Sequence, residues 1–333
     1  AFALAAVLPV AAQDTYESAR LLGSDLNGTA RYVAMGGAME ALGADISTMS
    51  TNPAGIGLFR HSTASLSFGL VSQQDAVRFD GLGKTNMSID QVGFVYSSRI
   101  SRSSYVNVGF NYHKSRNFDQ ILSAANSLNR CSQNGLSYHK DGLGTAQRGG
   151  YTLDFNSEDE LMGWDGTSNY RAQTFSQADY LNANVLLLSE WETSPGVYDW
   201  DLGFNDASSY TFDRAHRGWI ADYDFNISGN HNDRFYWGIT VGMKDVNYKG
   251  YSEYAENLLA QAGPAGSVAY ADERKIEGTG FDIKAGIIIR PVEESPFRFG
   301  VYVSTPTWYD LTTSNSTYML NNSPYGAWDN GES

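Results

Sequence analysis

Residues 218–245 read GWIADYDFNISGNHNDRFYWGITVGMKD, and two unlike rows separate within them. Trp219, Ala221, Tyr223, Phe225 and Ile227 fall on one side, with Asp222, Asp224, Asn226 and Ser228 on the other. After the polar stretch GNHNDR the pattern resumes. Phe235, Trp237, Ile239, Val241 and Met243 alternate with Gly238, Thr240, Gly242 and Lys244. A period of two is the mark of a strand with one apolar and one polar face. The spacing therefore predicts strands over 218–228 and 235–245, joined by a tight turn.

Working outward, five more stretches alternate in the same way: 63–72, 89–98, 104–113, 280–290 and 297–304. Between its first and last apolar residue, no apolar row among the seven holds a charge, whereas the opposite rows hold Asp222, Asp224, Lys244, Asp282, Lys284 and Arg298. Two architectures sort residues like this. A soluble sandwich turns its apolar rows toward a second sheet. A membrane barrel turns them toward lipid, where a charge at the midplane costs about 2–4 kcal/mol. The connections separate the two. SRISRSS, GNHNDR and PVEESP are short. They alternate with VRFDGLGKTN, with about a hundred residues from 114 to 217, and with roughly thirty from 245 to 278. Tight turns at one end and large loops at the other are the asymmetry of outer-membrane barrels. The fold class expected is all-β, a transmembrane antiparallel barrel, with the N-terminal side periplasmic.

Composition agrees with export. The formal charge of −14 excludes a basic nucleic-acid face or a stripe that docks on anionic lipid. The single cysteine, Cys131, excludes an internal disulfide framework. Residues 1–12, AFALAAVLPVAA, are too short to span a bilayer and read as the remnant of a signal peptide, with Val10 and Ala12 before the cut. Mean hydropathy is −0.36, which a barrel tolerates because only alternate residues meet lipid. The 21 tyrosines suit membrane–water interfaces.

Between leader and first strand, residues 31–60 read RYVAMGGAMEALGADISTMSTNPAGIGLFR. Pro53 fixes its own φ and disfavours helix at Asn52, which predicts a turn; alone, Asn-Pro-Ala-Gly is an ordinary surface turn. With Gly36-Gly37-Ala38, Asp45 and Asn52-Pro53-Ala54-Gly55 in this position, the segment resembles the N-terminal hatch of the FadL-type outer-membrane transporters of long-chain fatty acids and other hydrophobic compounds. The resemblance implies three regions: the leader remnant 1–12, a hatch 13–62, and the first seven strands of a fourteen-strand wall over 63–333. It places Asn52, Pro53 and Ala54 in the lumen as hatch and gating residues. It also implies passive uptake by loop capture, hatch movement and sideways exit through a kinked third strand, where Gly109 could permit the kink. A monomer in the outer membrane of a Gram-negative bacterium, in contact with lipid and lipopolysaccharide, is expected when the wall is complete.

Apolar residues at helical spacing occur in 118–128 (Phe118, Ile121, Leu122, Ala125, Leu128) and 251–262 (Tyr251, Tyr254, Ala255, Leu258, Leu259), and more weakly in 178–191. These windows predict loop helices. Their faces either cap the mouth or form a groove that captures ligand, with Phe118, Ile121, Leu122, Leu258 and Leu259 as its lining. DWDLGFND (199–206) supplies Asp199, Asp201, Asn205 and Asp206. It has Phe204 and Tyr210 where a calcium loop needs Gly and Glu, and so reads as a solvated loop. The five histidines lack paired metal spacing, and no motif for catalysis or phosphate binding occurs; neither cofactor, metal nor enzyme activity is expected. Two alternatives keep the same fold: a haem receptor, with His113 or His139 as iron ligand, and a structural or adhesive surface barrel.

Overall fold

The computed structural model describes residues 23–139, 151–154, 160–164, 169–171, 177–259, 266–292, 294–324 and 330–332. The leader, 1–12, lies outside them. Among the described residues, no helix is long and apolar enough to cross a membrane.

The chain is mostly antiparallel β-sheet. Its strands are β1 (Thr63–Ser72), β2 (Thr85–Arg99), β3 (Tyr105–Asn117), β4 (Gln120–Cys131), β5 (Tyr151–Asp154), β6 (Glu160–Trp164), β7 (Asn169–Arg171), β8 (Leu188–Ser194), β9 (Val197–Leu202), β10 (Ala207–His231), β11 (Phe235–Leu258), β12 (Ser267–Ile289), β13 (Phe299–Ser304), β14 (Trp308–Asn322) and β15 (Asn330–Glu332). One large sheet runs β1-β2-β3-β10-β11-β12-β14-β15. In it β4 continues the position of β3 along β10, and β13 that of β14 along β12. All seven alternating stretches fall on strands, the last only from Phe299 onward. The β10–β11 turn is tight because Asn232 and Asp233 adopt left-handed φ of 53° and 55°, a conformation these two residue types tolerate.

Three strands run far beyond their alternating stretches. β10, β11 and β12 have 25, 24 and 23 residues, about 80 Å at roughly 3.3 Å per residue. Along them the two faces exchange character. Near the β10–β11 turn the open face carries Phe225, Ile239, Met243 and Ile283, which are 52%, 44%, 51% and 38% exposed. Phe94, Phe110 and Phe225 form a ladder of rings across three strands there, with centroids 6.0 and 5.1 Å apart. The covered face at this level is polar, with Asp222, Asp224, Asn226, Thr240, Asp282 and Lys284 all buried. Past the paired residues Ala221, Asp245 and Thr279 the order reverses. The open face becomes Asp245, Asn247, Lys249 and Glu253, beside Thr279, Glu277, Lys275 and Glu273. The covered face becomes Ile220, Val246, Tyr248 and Ile276, with Leu258, Val268, Tyr270 and Met319 further on, all buried. The lower half is thus apolar outside and polar inside; the upper half is the reverse.

Several expectations are corrected. Residues 118–128 and 251–259, the described part of the second window, are not loop helices. The first belongs largely to β4, and the second completes β11. The i, i+3, i+4 matches are real, but β10 offers a free ladder to 120–131, and β10 and β12 flank 251–258 on both sides. Backbone pairing of that kind outweighs a short periodic match. The roughly thirty-residue loop after 245 is accordingly reduced to 259–266, no longer than the connection 290–298. In 178–191 the expected helix is present as far as Leu187, beginning as α3 (Gln177–Leu181), which follows α1 (Ala30–Ala34) and α2 (Gln133–His139). It widens into a π-helical turn, Asn182–Leu187, before β8. At Gly109 the register of β3 with β2 and β10 is unbroken, so no bulge falls there. The shift falls between Ile220 and Ala221, opposite the stretch from Lys114 to Arg116.

Candidate functional site: a seated N-terminal segment and the cavity beside it

Residues 23–62 lie against the covered face of the lower half, and their turns are built by side-chain caps. Asp45 accepts from Ser47 N at 3.0 Å and from Thr29 Oγ1 at 2.8 Å, starting the 3-10 helix Ile46–Ser50. Asn52 accepts from Ala54 N at 3.1 Å and starts the next, Pro53–Leu58. Its Nδ2 donates to Glu40 O at 2.7 Å and Ile287 O at 3.5 Å. Both sides of this one amide are thereby used, one for local geometry and one for the wall.

The wall answers with asparagines and glycines. Asn107 donates to Ile56 O at 2.7 Å and Phe59 O at 3.2 Å, Asn230 to Gly57 O at 3.2 Å, and Asn226 to Pro53 O at 3.5 Å. These carbonyls sit away from water, where an unmet hydrogen bond is costly. Glycines supply the clearance. A methyl at Gly300 would stand 2.7 Å from Glu40 O, and one at Gly93 2.7 Å from Ile46 Cγ2. At Gly238 it would collide with the Pro53 backbone, and at Gly109 with the Met49 methyl. Gly109 is therefore a site of close approach. Two small cores close the contact: Ile46, Met49, Ile56 and Val95, and Ala54, Tyr236 and Ile288.

Immediately above the glycines, polar side chains cross six neighbouring wall positions. Ser65 donates to Gln91 at 2.9 Å, Gln91 to Asn111 at 2.8 Å, and Asn111 lies 3.4 Å from His113 Nδ1. His113 stands 3.9 Å from Asp222 and 3.7 Å from Asp224. Lys244 donates to Asp222 and lies 3.6 Å from Asp282. Lys284 donates to Asp282 at 2.6 Å and lies 3.6 Å from Asp224. Thr307 closes the series with a 3.2 Å bond to Asp282. A cavity of about 650 Å³ opens on this belt, between residues 23–27 and 50–51 of the N-terminal segment and the wall at Ile220, Pro306 and Tyr309.

The expected capture residues do not come together. Phe118 packs with Ile220, Val246, Tyr248 and Ile276 just above the cavity. Ile121 packs elsewhere, with Leu82 and Ala215, and Leu122 is exposed. Leu258 joins Val268, Tyr270, Leu181, Val185 and Leu186 near the top, and Leu259 N donates to Asp206 O at 2.7 Å. His113 lines the cavity, whereas His139 meets the rings of Tyr138 and Phe204. Of the acidic loop, Asp206 pairs with Arg130 at 3.3 Å, and the side chains of Asp199 and Asp201 are outside the described set. In the upper half Glu256 is buried and accepts from Gln133 N and Tyr254 Oη, each at 2.8 Å. Burial pushes its carboxyl above the ordinary glutamate range, against the pull of those two donors. Sequence placed Asp222, Asp224, Lys244, Asp282 and Lys284 on the polar rows and named His113 and Gly109 for other roles, but it did not show the belt these charges form or the asparagine and glycine seats. Their signal was the small and amide residues recurring in the polar rows.

No protein-family model, curated protein or solved structure matches this chain.

Proposed function

We propose that this chain forms wall and hatch of an outer-membrane β-barrel through which hydrophobic small molecules pass passively, long-chain fatty acids being the substrate the hatch resemblance implies. The observation that carries this reading is the exchange of polarity along β10, β11 and β12. An apolar open face is stable against lipid but not against water, and a barrel strand needs about 9–11 residues to cross the hydrocarbon. The apolar rows 219–227, 235–243 and 281–289 have that length. Above them the strands carry a polar open face and a packed apolar interior, as strands do in water. Residues 23–62 then occupy the lumen, with Asn52, Pro53 and Ala54 on its wall.

The resemblance also implies a sideways exit, and the β13–β14 junction is a second candidate place for it besides Gly109. β13 and β14 follow one line along β12, yet Thr305, Pro306 and Thr307 stand opposite only Ile283 and Asp282. Pro306 removes a ladder donor there, and Pro306 and Thr307 line the cavity. This bulge at the cavity wall is bridged by Thr305 N to Ile283 O and Ile283 N to Thr305 Oγ1, each at 3.0 Å, and an opening here would part those two bonds.

The test is uptake by a bacterium lacking its own fatty-acid channel. Cells producing the full-length gene product should accumulate a labelled hydrophobic probe faster than cells with the empty vector. Equal uptake, with the protein shown to be folded in the outer membrane, would overturn the channel reading.

A further inference from the structure

On the reading that this chain lines such a passage, we infer that the cavity beside the N-terminal segment takes amphiphiles with an uncharged polar head, an alcohol or a carbonyl, in preference to carboxylate anions. The charges at the cavity are already matched. Lys244 stands between Asp222 and Asp282, and Lys284 between Asp282 and Asp224. The carboxylates outnumber the ammoniums, and His113 is itself flanked by two of them. These side chains are at most 13% exposed, so the charges act on one another with little screening by water. A carboxylate brought to this belt would lose its hydration and find no unmatched positive charge, and a buried charge without a partner is strongly disfavoured.

Hydrogen-bonding capacity remains where charge does not. An ammonium has three N–H donors, yet within the described residues Lys244 and Lys284 each make one hydrogen bond, to Asp222 and Asp282. Asp222 is the belt carboxylate that lines the cavity, and each of its oxygens accepts one hydrogen bond, from Ser115 and from Lys244, which leaves lone pairs for a donor; Asp224, fully buried, lies behind this lining. A hydroxyl head accepts from an ammonium and donates to a carboxylate, and a carbonyl does the first. Leu26, Ile220, Pro306 and the rings of Tyr32 and Tyr309 offer apolar surface for the rest of the molecule. The volume falls within the roughly 300–1,000 Å³ of small-molecule sites.

The test compares dodecanol, laurate and dodecylammonium, which share one chain length, on the full-length protein in lipid nanodiscs. The pH is held near 7.5, where laurate is anionic and the amine cationic. Binding is read by calorimetry and referred to each compound's partition into protein-free nanodiscs. Dodecanol should bind about tenfold or more tightly than either ion on that scale. Asp222→Asn releases Lys244 from its carboxylate and should raise laurate affinity relative to dodecanol. A wild-type protein that binds laurate or dodecylammonium as tightly as dodecanol would overturn the head-group inference and leave the channel reading standing. Binding of none of the three would overturn both. If the variant does not fold, the wild-type ranking decides alone.

Discussion

Gly238 shows what a single residue contributes to seating the N-terminal segment. A methyl there meets the Pro53 carbonyl carbon and oxygen and the Ala54 nitrogen. These backbone atoms are held by the Asn52 cap and the Asn226 amide, so they cannot swing aside as a side-chain end could. Gly238→Ala should destabilise the protein by about 1–3 kcal/mol, the usual range for overpacking. Gly203→Ala places its methyl in open space and should stay within about 0.5 kcal/mol. Urea unfolding of the two variants separates these outcomes, and equal midpoints would refute the seat. Gly109→Ala meets the far end of Met49, and beside it the Phe94 carbonyl oxygen at 3.2 Å and Val95 Cγ2 at 3.3 Å. Sequence predicted the turn at Asn52-Pro53 because proline constrains its own backbone and its predecessor, while the hatch role of Asn52, Pro53 and Ala54 was implied only by the family resemblance. Gly238 was invisible as a seat, because its reason lies in a chain segment some 180 residues away.

At the scale of elements, local pattern located strands but not their ends. The rows 219–227 and 235–243 were legible because one face must be apolar throughout. Above Asp245 both faces change, alternation weakens, and a helix template fits 251–262 as well as a strand does. Ladder pairing with β10 and β12 decided the outcome, and no window of sequence contains that information. This upper part of β11 also carries a pH response. Glu256 has its proton affinity raised by burial. Between the ordinary glutamate range and that raised value the folded chain holds a proton the unfolded chain has released. The folded state then binds more protons, so stability falls as pH rises through this window and the loss is complete above it. Glu256→Gln keeps an oxygen for Gln133 N and Tyr254 Oη and removes the charge. Thermal unfolding from about pH 4 to pH 8 should show a higher midpoint for the variant at the upper end and a flatter profile. A variant less stable than wild type at neutral pH would contradict this assignment.

For the whole molecule, the two halves of the wall ask for two solvents. Lower down, Phe225, Ile239, Met243 and Ile283 face outward while Asp222, Lys244, Asp282 and Lys284 are enclosed. Higher up, Lys249 pairs with Glu273 at 2.8 Å on the open face, both side chains well exposed, while Val246, Tyr248 and Ile276 pack beneath. One solvent does not favour both arrangements; on the proposed barrel reading, lipid meets the lower half and water the upper. The boundary follows paired residues across three strands, which a chance patch of apolar surface would not do. The direct measurement is depth along β11. Spin labels would be placed singly on the open face at 239, 241 and 243, and at 247, 249 and 253. The protein would be in lipid bilayers with the native Cys131 replaced by serine. The account predicts that the first three labels relax with oxygen and are shielded from a water-soluble nickel complex, and that the last three show the opposite. Uniform access of the nickel complex to all six positions would contradict it.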